Sequence, residues 1–325
     1  MHLLVTGAAG FIASRTVDLL LTAGHTVTGL DNLNDAYDVR LKDWRLQRLQ
    51  NRPGFDFQKI DITRLPELAA VFANRPAFDA VIHLAARTGV RPSVENPWIY
   101  FETNLTGTLN LLELCRQHGV PKFVLSSTSS LYGSHNPMPC GEDADTSRPL
   151  SPYAASKKAA ETLCYTYHYL YGLDVTVLRY FTVFGPAGRP DMSPFRFVQK
   201  VSEGRPITLY GDGSQTRDFT FVDDIARGTI AALRRVGHAT INLGSHQPVV
   251  LLDAIRLVER LTGHTAIIES RPAHPADVSA AWADVSRAGQ ILGWAPQVSF
   301  EAGVKSLVAW YQAERAWASQ IETGL

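Results

Sequence analysis

Residues 3–14 read LLVTGAAGFIAS: a short apolar strand, a glycine turn and the start of an amphipathic helix. Few local patterns constrain a fold as tightly. Gly7, Gly10 and Ala13 stand at the three positions of a dinucleotide-binding fingerprint, spaced here as G-x-x-G-x-x-A. The first makes a tight turn, the second lets backbone approach a pyrophosphate, and the third need only be small where helix packs on strand. The helix start at Phe11 and Ile12 then turns free amides and a positive dipole end toward the phosphates. A second strand, His25 to Leu30, ends at Asp31, about 20 residues on, where a carboxylate accepts hydrogen bonds from an adenosine ribose. That carboxylate would repel the extra phosphate of NADP, and Asn32-Leu33 puts no arginine beside it. NAD is the expected cofactor.

The pattern continues as a sheet. FDFQKID, FDAVIHLAA, KFVLSS and DVTVLRYF are short apolar runs separated by helical periodicity, which predicts parallel strands. The expected class is α/β: a Rossmann-type doubly wound parallel sheet with a smaller C-terminal α/β substrate lobe. Residues 1–180 form the nucleotide-binding part, with a return segment near 219–246; residues 181–218 and 247–325 form the smaller lobe. TRDFTFVDDIARGTIAAL reads as that return. Helices are expected near Phe195 to Glu203, Leu252 to Leu261 and Ala302 to Ala318. Ligands of such sheets bind beyond the carboxyl ends of the strands. Asp61, with Ile62, ends the third run near the adenine. Leu84-Ala85-Ala86 ends the fourth, where small residues let a cofactor lie against backbone; Ser126 and Tyr180 are counted on the same edge.

The chemistry begins in SPYAASKKAAET, where Tyr153 and Lys157 stand four residues apart. Such residues share a helix face and reach the same spot. A phenol is a poor base at neutral pH, and a nearby ammonium improves it. Alone, the pair is a weak signal that more often marks an exposed helix face. Thr128, in VLSSTSSLYG, closely follows the fifth run on the edge where the cofactor is expected. A hydroxyl, a phenol and a lysine at one crevice point to proton transfer at an alcohol.

The 31 basic and 31 acidic residues cancel, so no electrostatic case exists for nucleic acid or a membrane surface. Cys115, Cys140 and Cys164 are scattered without ligand spacing, which suits a reducing cytosol and argues against a disulfide framework or a metal site. No run approaches a transmembrane span and no signal peptide is evident. The expectation is a cytoplasmic protein.

TGAAGFIAS, HLAA, SSTSSLYG, YAASK, RYFTVFGP and TRDFTFVDDIA occur in this order, and the chain resembles the extended short-chain dehydrogenase/reductase family over nearly its whole length. DNLNDAYDVRLKDWRL and RYFTVFGPAGRPDM most resemble its UDP-glucuronate 4-epimerase branch. The resemblance implies that Tyr153 is the catalytic base and that Thr128 bridges it to the substrate alcohol. Lys157 would hold the nicotinamide ribose and lower the tyrosine pKa. Asn104 matches the family asparagine on the central helix, either a cofactor contact or a packing amide. Arg217, Arg189 and Arg91 would bind UDP, and Asp277 the uridine ribose. His274 and Ala276 replace the arginine and glycine of a commoner R-P-G-D pattern there, which leaves a role for Arg271 open. Tyr210 lies either against uracil or simply in a strand. A homodimer is also implied.

Within this family, dehydrating and decarboxylating members carry an acidic residue just after the hydroxyl motif. Here Ser129 and Ser130 occupy that place, favouring epimerisation. Together with Thr182 in RYFTVFG, they either cradle a carboxylate on carbon 5 or satisfy local backbone. The implied reaction is 4-epimerisation of UDP-glucuronate. The rivals are a UDP-glucose or UDP-N-acetylglucosamine 4-epimerase, a UDP-glucuronate decarboxylase, and a non-catalytic nucleotide sensor.

Overall fold

A computed structural model describes residues 1–74, 77–272 and 280–323 of the chain. Its strands are β1 (His2–Thr6), β2 (Thr26–Asp31), β3 (Phe55–Lys59), β4 (Ala80–His83), β5 (Lys122–Thr128), β6 (Asp174–Tyr180) and β7 (Thr182–Phe184). They continue with β8 (Ile207–Tyr210), β9 (Thr216–Phe221), β10 (His238–Leu243), β11 (Pro248–Val250), β12 (Ile268–Arg271) and β13 (Ala280–Ala281). Seven strands form one sheet in the order β10-β6-β5-β4-β1-β2-β3. All of its pairings are parallel. The order reverses between β1 and β4, and that switch point is where doubly wound sheets open a ligand crevice.

Helices cover both faces, so the inner strands read as continuous apolar runs rather than alternating ones. Every residue of β5 and β6 is buried. On one side Leu4, Val81, Leu111, Phe123 and Val175 pack together. On the other are Leu3, Val5, Val17, Ile82 and Ile225. Even Lys122 in β5 is buried, its ammonium held by Asp174 and Thr176 at 2.5 and 2.7 Å.

The glycine turn is built as the sequence predicts. Gly7 has φ +72°, and a Cβ there would stand 2.8 Å from the Ala85 nitrogen. The turn of β1 therefore packs directly on the chain leaving β4. Gly10 then begins the helix Phe11–Thr22 with no side-chain cap, leaving its first amides open on the crevice side.

Two smaller sheets surround the far wall. One contains β11, β9 and β13, with β7 on β9; the other pairs β8 with β12. The expected return needs a correction here. TRDFTF forms β9 of the small sheet, not a strand of the large one. Buried Asp218 anchors it by accepting amides of Ser245, His246 and Ala283 at 2.5, 3.2 and 3.0 Å. The chain returns one element later: the helix Val222–Ala231 packs on Phe11–Thr22, and β10 extends the large sheet. The last predicted helix also divides, into Phe300–Ala313 and Arg315–Ala318. Glu314 leaves helical geometry between them while its carboxylate accepts the Trp317 indole N–H at 2.6 Å.

Candidate active site

The helix Pro152–Tyr171 places the central residues. Ser151 caps it by accepting the Ala154 amide at 3.2 Å, Pro152 occupies its first position, and left-handed Gly172 ends it. With its start fixed, positions 153, 157 and 161 fall on one buried face. Thr128 is the last residue of β5. These elements open on a cavity of about 780 Å³, lined by Gly7, Gly10, Phe11, Ile12, Leu84, Ala86, Ser126, Thr128, Tyr153, Lys157 and Tyr180. Ser129, Ser130, Thr182, Arg91, Arg189 and Arg217 line the same cavity. Residues of the glycine turn, the Thr128/Tyr153/Lys157 set and the expected sugar contacts thus line one crevice.

Tyr153 is 9 % exposed. Burial raises the pKa of its phenol, while a hydrogen bond with Thr128 and the Arg189 charge pull it down. Lys157 is 2 % exposed, and burial lowers its own pKa to about 8 against the pull of Glu161. Glu161 in turn accepts Ser127 Oγ at 2.6 Å and both ends of the Arg179 fork at 3.0 and 2.8 Å. A buried ion pair therefore sits one turn below the lysine.

Thr128 Oγ1 accepts the Ser130 amide at 3.1 Å and donates to Ser130 Oγ at 3.2 Å. This caps the short turn Ser129–Tyr132, whose two serines line the same cavity as the phenol. No carboxylate stands at 129 or 130. Arg189 donates to Asp191 and to Thr88 Oγ1. Arg91 lies over the Tyr210 ring at 4.6 Å, so one face of that ring already carries a cation. Arg217 on β9 donates to the Thr216 carbonyl at 2.8 Å.

Asp31, Asn32, Asp61 and Ile62 lie outside the cavity lining, past the ends of β2 and β3, and Ala85 and Asn104 lie outside it on the side of β4. Asp31 is buried and accepts the Ala9 and Leu33 amides at 3.2 and 2.8 Å. Asn32 donates to Asp61 at 2.7 Å, and Asp61 also accepts the Thr63 amide and hydroxyl. Ile62 is buried, in the place a Cβ on Gly107 would need. Ala85 donates its amide to Thr6 Oγ1 at 3.1 Å. Asn104 lies in a single π-helical turn, Glu102–Thr106, a distortion frequent at functional sites. Its amide bonds the Arg87 backbone in both directions and donates to Ser156 Oγ at 2.9 Å. It ties the loop after β4 to the tyrosine helix. The Tyr180 hydroxyl pairs with Thr229 at 2.8 Å. Asp277 and His274 lie outside the described residues, and Arg271 is the exposed end of β12.

The structure also gathers residues that the sequence reading did not single out. Lys42, buried, brings its ammonium to 3.8 Å from Asp31 and 3.3 Å from Asn34 Oδ1. The alternation in RLKDWRL gives no hint of that burial; the helix Arg40–Gln50 folds it back over the turn. Arg196 lines the crevice as well.

These residues fit a dinucleotide. A Cβ on Gly10 would stand 2.8 Å from the Gly7 carbonyl oxygen, so the turn admits only glycine there. Open amides follow it, acid groups end β2 and β3, and the crevice continues to a phenol and a lysine. Among the described residues no group of His, Cys, Asp and Glu is arranged for a metal ion.

Residues 3–244 match the NAD dependent epimerase/dehydratase family. A UDP-glucuronate 4-epimerase of Thermodesulfobacterium geofontis is 54% identical over 310 residues, covering 95% of each chain. The crystal structure of the Bacillus cereus UDP-glucuronic acid 4-epimerase, in complex with UDP-glucuronic acid and NAD, superposes with a TM-score of 0.91 at 36% identity. That match covers 97% of this chain and 100% of the other. The UDP-glucose 4-epimerase of Thermotoga maritima, solved with UDP-glucose, gives a TM-score of 0.89 at 31% identity, over 97% and 100% of the two chains. With a match across three quarters of its length, this chain belongs to the NAD dependent epimerase/dehydratase family.

Proposed function

We propose that the protein interconverts UDP-glucuronate and UDP-galacturonate by inverting carbon 4 of the sugar, with NAD as its resident cofactor. The carrying observation is the single crevice that holds Thr128, Tyr153 and Lys157 beside Ser129, Ser130 and Thr182. Gly7, Gly10 and the amides at Phe11 and Ile12 receive the pyrophosphate; Asp31 receives the adenosine ribose, and Asp61 with Ile62 flanks the adenine. Leu84, Ala85, Ala86, Ser126 and Tyr180 form the wall along the strand ends, and Asn104 fixes the loop behind it. NAD, when bound there, supplies the hydride chemistry at carbon 4.

The remaining steps belong to the chain. Tyr153, in its ionised form, takes the proton of the 4-hydroxyl; Thr128 bridges phenol and alcohol, and Lys157 holds the nicotinamide ribose. A 4-keto sugar results, anchored through UDP by Arg217, with Arg189 and Arg91 as further cations. The free sugar ring turns and presents its other face, after which Tyr153 returns the proton. Ser129, Ser130 and Thr182 hold the carbon-5 carboxylate by neutral donors, which grip less rigidly than an arginine fork and so permit the turn. The 4-keto sugar is a β-keto acid, and it loses carbon dioxide when its carboxyl bond aligns with the carbonyl π system. The hydroxyl cradle keeps that bond near the carbonyl plane. The absence of a carboxylate at 129 and 130 further supports simple epimerisation.

Parallel incubations with UDP-glucuronate and UDP-glucose test the reading. UDP-galacturonate should accumulate to an equilibrium mixture in the first; turnover of UDP-glucose alone would sink it.

A homodimer accompanies this reading. Trp98 is 81 % exposed and Tyr169 76 %, on the helices Pro97–Phe101 and Pro152–Tyr171, which pack together. Exposed apolar area of this kind marks an interface. Sedimentation velocity should give twice the chain mass for the wild type and the single chain mass for Trp98→Asp. A wild-type monomer would end the assignment. Among the described residues no helix is long and apolar enough to cross a membrane.

A further inference from the structure

Arg45 stands in the middle of the helix Arg40–Gln50 and is 3 % exposed. Its guanidinium joins three separate stretches of chain. Nη1 donates to the Ala9 carbonyl at 3.2 Å and to the Tyr37 hydroxyl at 2.7 Å. Nε and Nη2 both donate to the Ala187 carbonyl, at 3.0 and 2.6 Å, and Nη2 also reaches the Gly188 carbonyl at 3.4 Å. All of these acceptors are neutral oxygens, so the fork places chain here rather than answering a carboxylate. The guanidinium also lies near the rings of Phe11 and Tyr37, at 5.7 and 5.5 Å.

Ala9 lies in the glycine turn, just before the helix start at Phe11. Ala187 and Gly188 lie in the loop after β7 that leads to Arg189. Ala187 has φ +51°, a left-handed conformation that a residue with a Cβ adopts at a cost unless its surroundings hold it. The fork on its carbonyl is such a hold. The loop also rests on the first helix: a Cβ on Gly188 would stand 3.6 Å from the Phe11 ring. Arg45 itself does not line the crevice, whereas Gly10, Phe11, Tyr37 and Arg189, each a partner of Arg45 or within two residues of one, do. It acts on the crevice from behind, through the backbone of both walls.

We propose that Arg45 is a positioning residue that clasps the glycine turn to the loop carrying Arg189, so that a nucleotide held at Arg189 slows the escape of NAD. The assignment rests on the UDP-sugar reading above. A ligand on Arg189 orders the loop, the fork passes that order to Ala9, and the turn that receives the pyrophosphate opens less readily. Such coupling is reciprocal: NAD at the turn tightens UDP in the same proportion. It suits a reaction in which one resident cofactor outlasts many sugars.

The test follows NAD release from the loaded protein, by stopped-flow transfer to an excess of an NAD-consuming enzyme, with and without saturating UDP. In the wild type, UDP should slow release. Arg45→Met should release NAD roughly 10- to 100-fold faster without UDP, the range for loss of hydrogen bonds from a charged donor, and UDP should no longer slow it. Arg45→Lys keeps the charge but has no planar fork to span both walls. It should release NAD at an intermediate rate with the UDP effect likewise lost, and it carries the test if the methionine variant fails to fold. A merely structural role would speed release yet leave the UDP effect at its wild-type factor, and that result would overturn the assignment. So would release at the wild-type rate in both variants, or no effect of UDP on a wild type that binds it. Failure of the wild type to bind UDP, checked by calorimetric titration, would instead end the UDP-sugar reading itself.

Discussion

Tyr153→Phe is expected to lower epimerisation of UDP-glucuronate by roughly 10²- to 10⁴-fold, the usual worth of a positioned general base. Binding of UDP should persist. The substitution removes one oxygen and keeps the ring, so the edge-on contact with Tyr100, at 6.1 Å between centroids, survives. The phenol is a poor base until its proton is drawn off. Thr128 and Arg189 favour the ionised form against burial, and the charge of a bound nicotinamide adds to them. Phenylalanine loses the whole of that arrangement. A kcat measurement paired with a UDP titration checks the outcome; unchanged turnover would remove Tyr153 from the mechanism.

The second large effect is expected at Lys157. Its side chain is buried, and its pKa falls to about 8 from the ordinary 10.5. Glu161 faces it from the same helix, paired with Arg179 of β6. His83 of β4 is buried with its pKa lowered to about 3, so it stays neutral at working pH. Buried Cys164 completes the set, its thiol pKa raised by burial. The sign follows from the proposed role: the cation is the form that would assist the phenolate and hold the ribose, and it is lost as pH rises through about 8. Wild-type turnover should therefore fall on that alkaline limb. Lys157→Met should be slower by roughly 10²-fold, as for loss of a charged hydrogen-bond donor together with its field. It should also lack the limb ascribed to the lysine. Because burial destabilises the protonated lysine in the fold, the methionine variant should melt no lower than wild type. A pH–rate profile of both proteins, with a melting curve, decides; an identical alkaline limb in the variant would contradict the role given to Lys157.

Most of the large sheet was legible in the sequence because its strands are buried on both faces and punctuated by helical periodicity. The turn at Gly7 and Gly10, the acid at Asp31 and the pair Tyr153/Lys157 are local patterns, and a local pattern survives without knowledge of the fold. What was not legible depends on chain distant in sequence. β9 looked like part of the return because its apolar run matches either sheet; the partners of Asp218, at Ser245, His246 and Ala283, decide its place. Arg189 was expected at the nucleotide, and only the folded crevice sets its charge on Tyr153. Lys42 reaches Asp31 because a helix turns it inward. Arg196 stands in SPFRFVQKVS, where nothing in the sequence separates a crevice arginine from a solvent-facing one. Asp277 was read from a motif and lies outside the described residues.

The central claim is that carbon 4 loses and regains the same hydrogen while Tyr153 handles only the exchangeable proton on oxygen. Incubation of the NAD-loaded protein with UDP-glucuronate deuterated at carbon 4, followed by NMR of the products, tests it most directly. The account predicts UDP-galacturonate that retains deuterium at carbon 4, with no label released to water. Loss of the label to solvent, or a UDP-pentose with carbon dioxide as the main products, would contradict it.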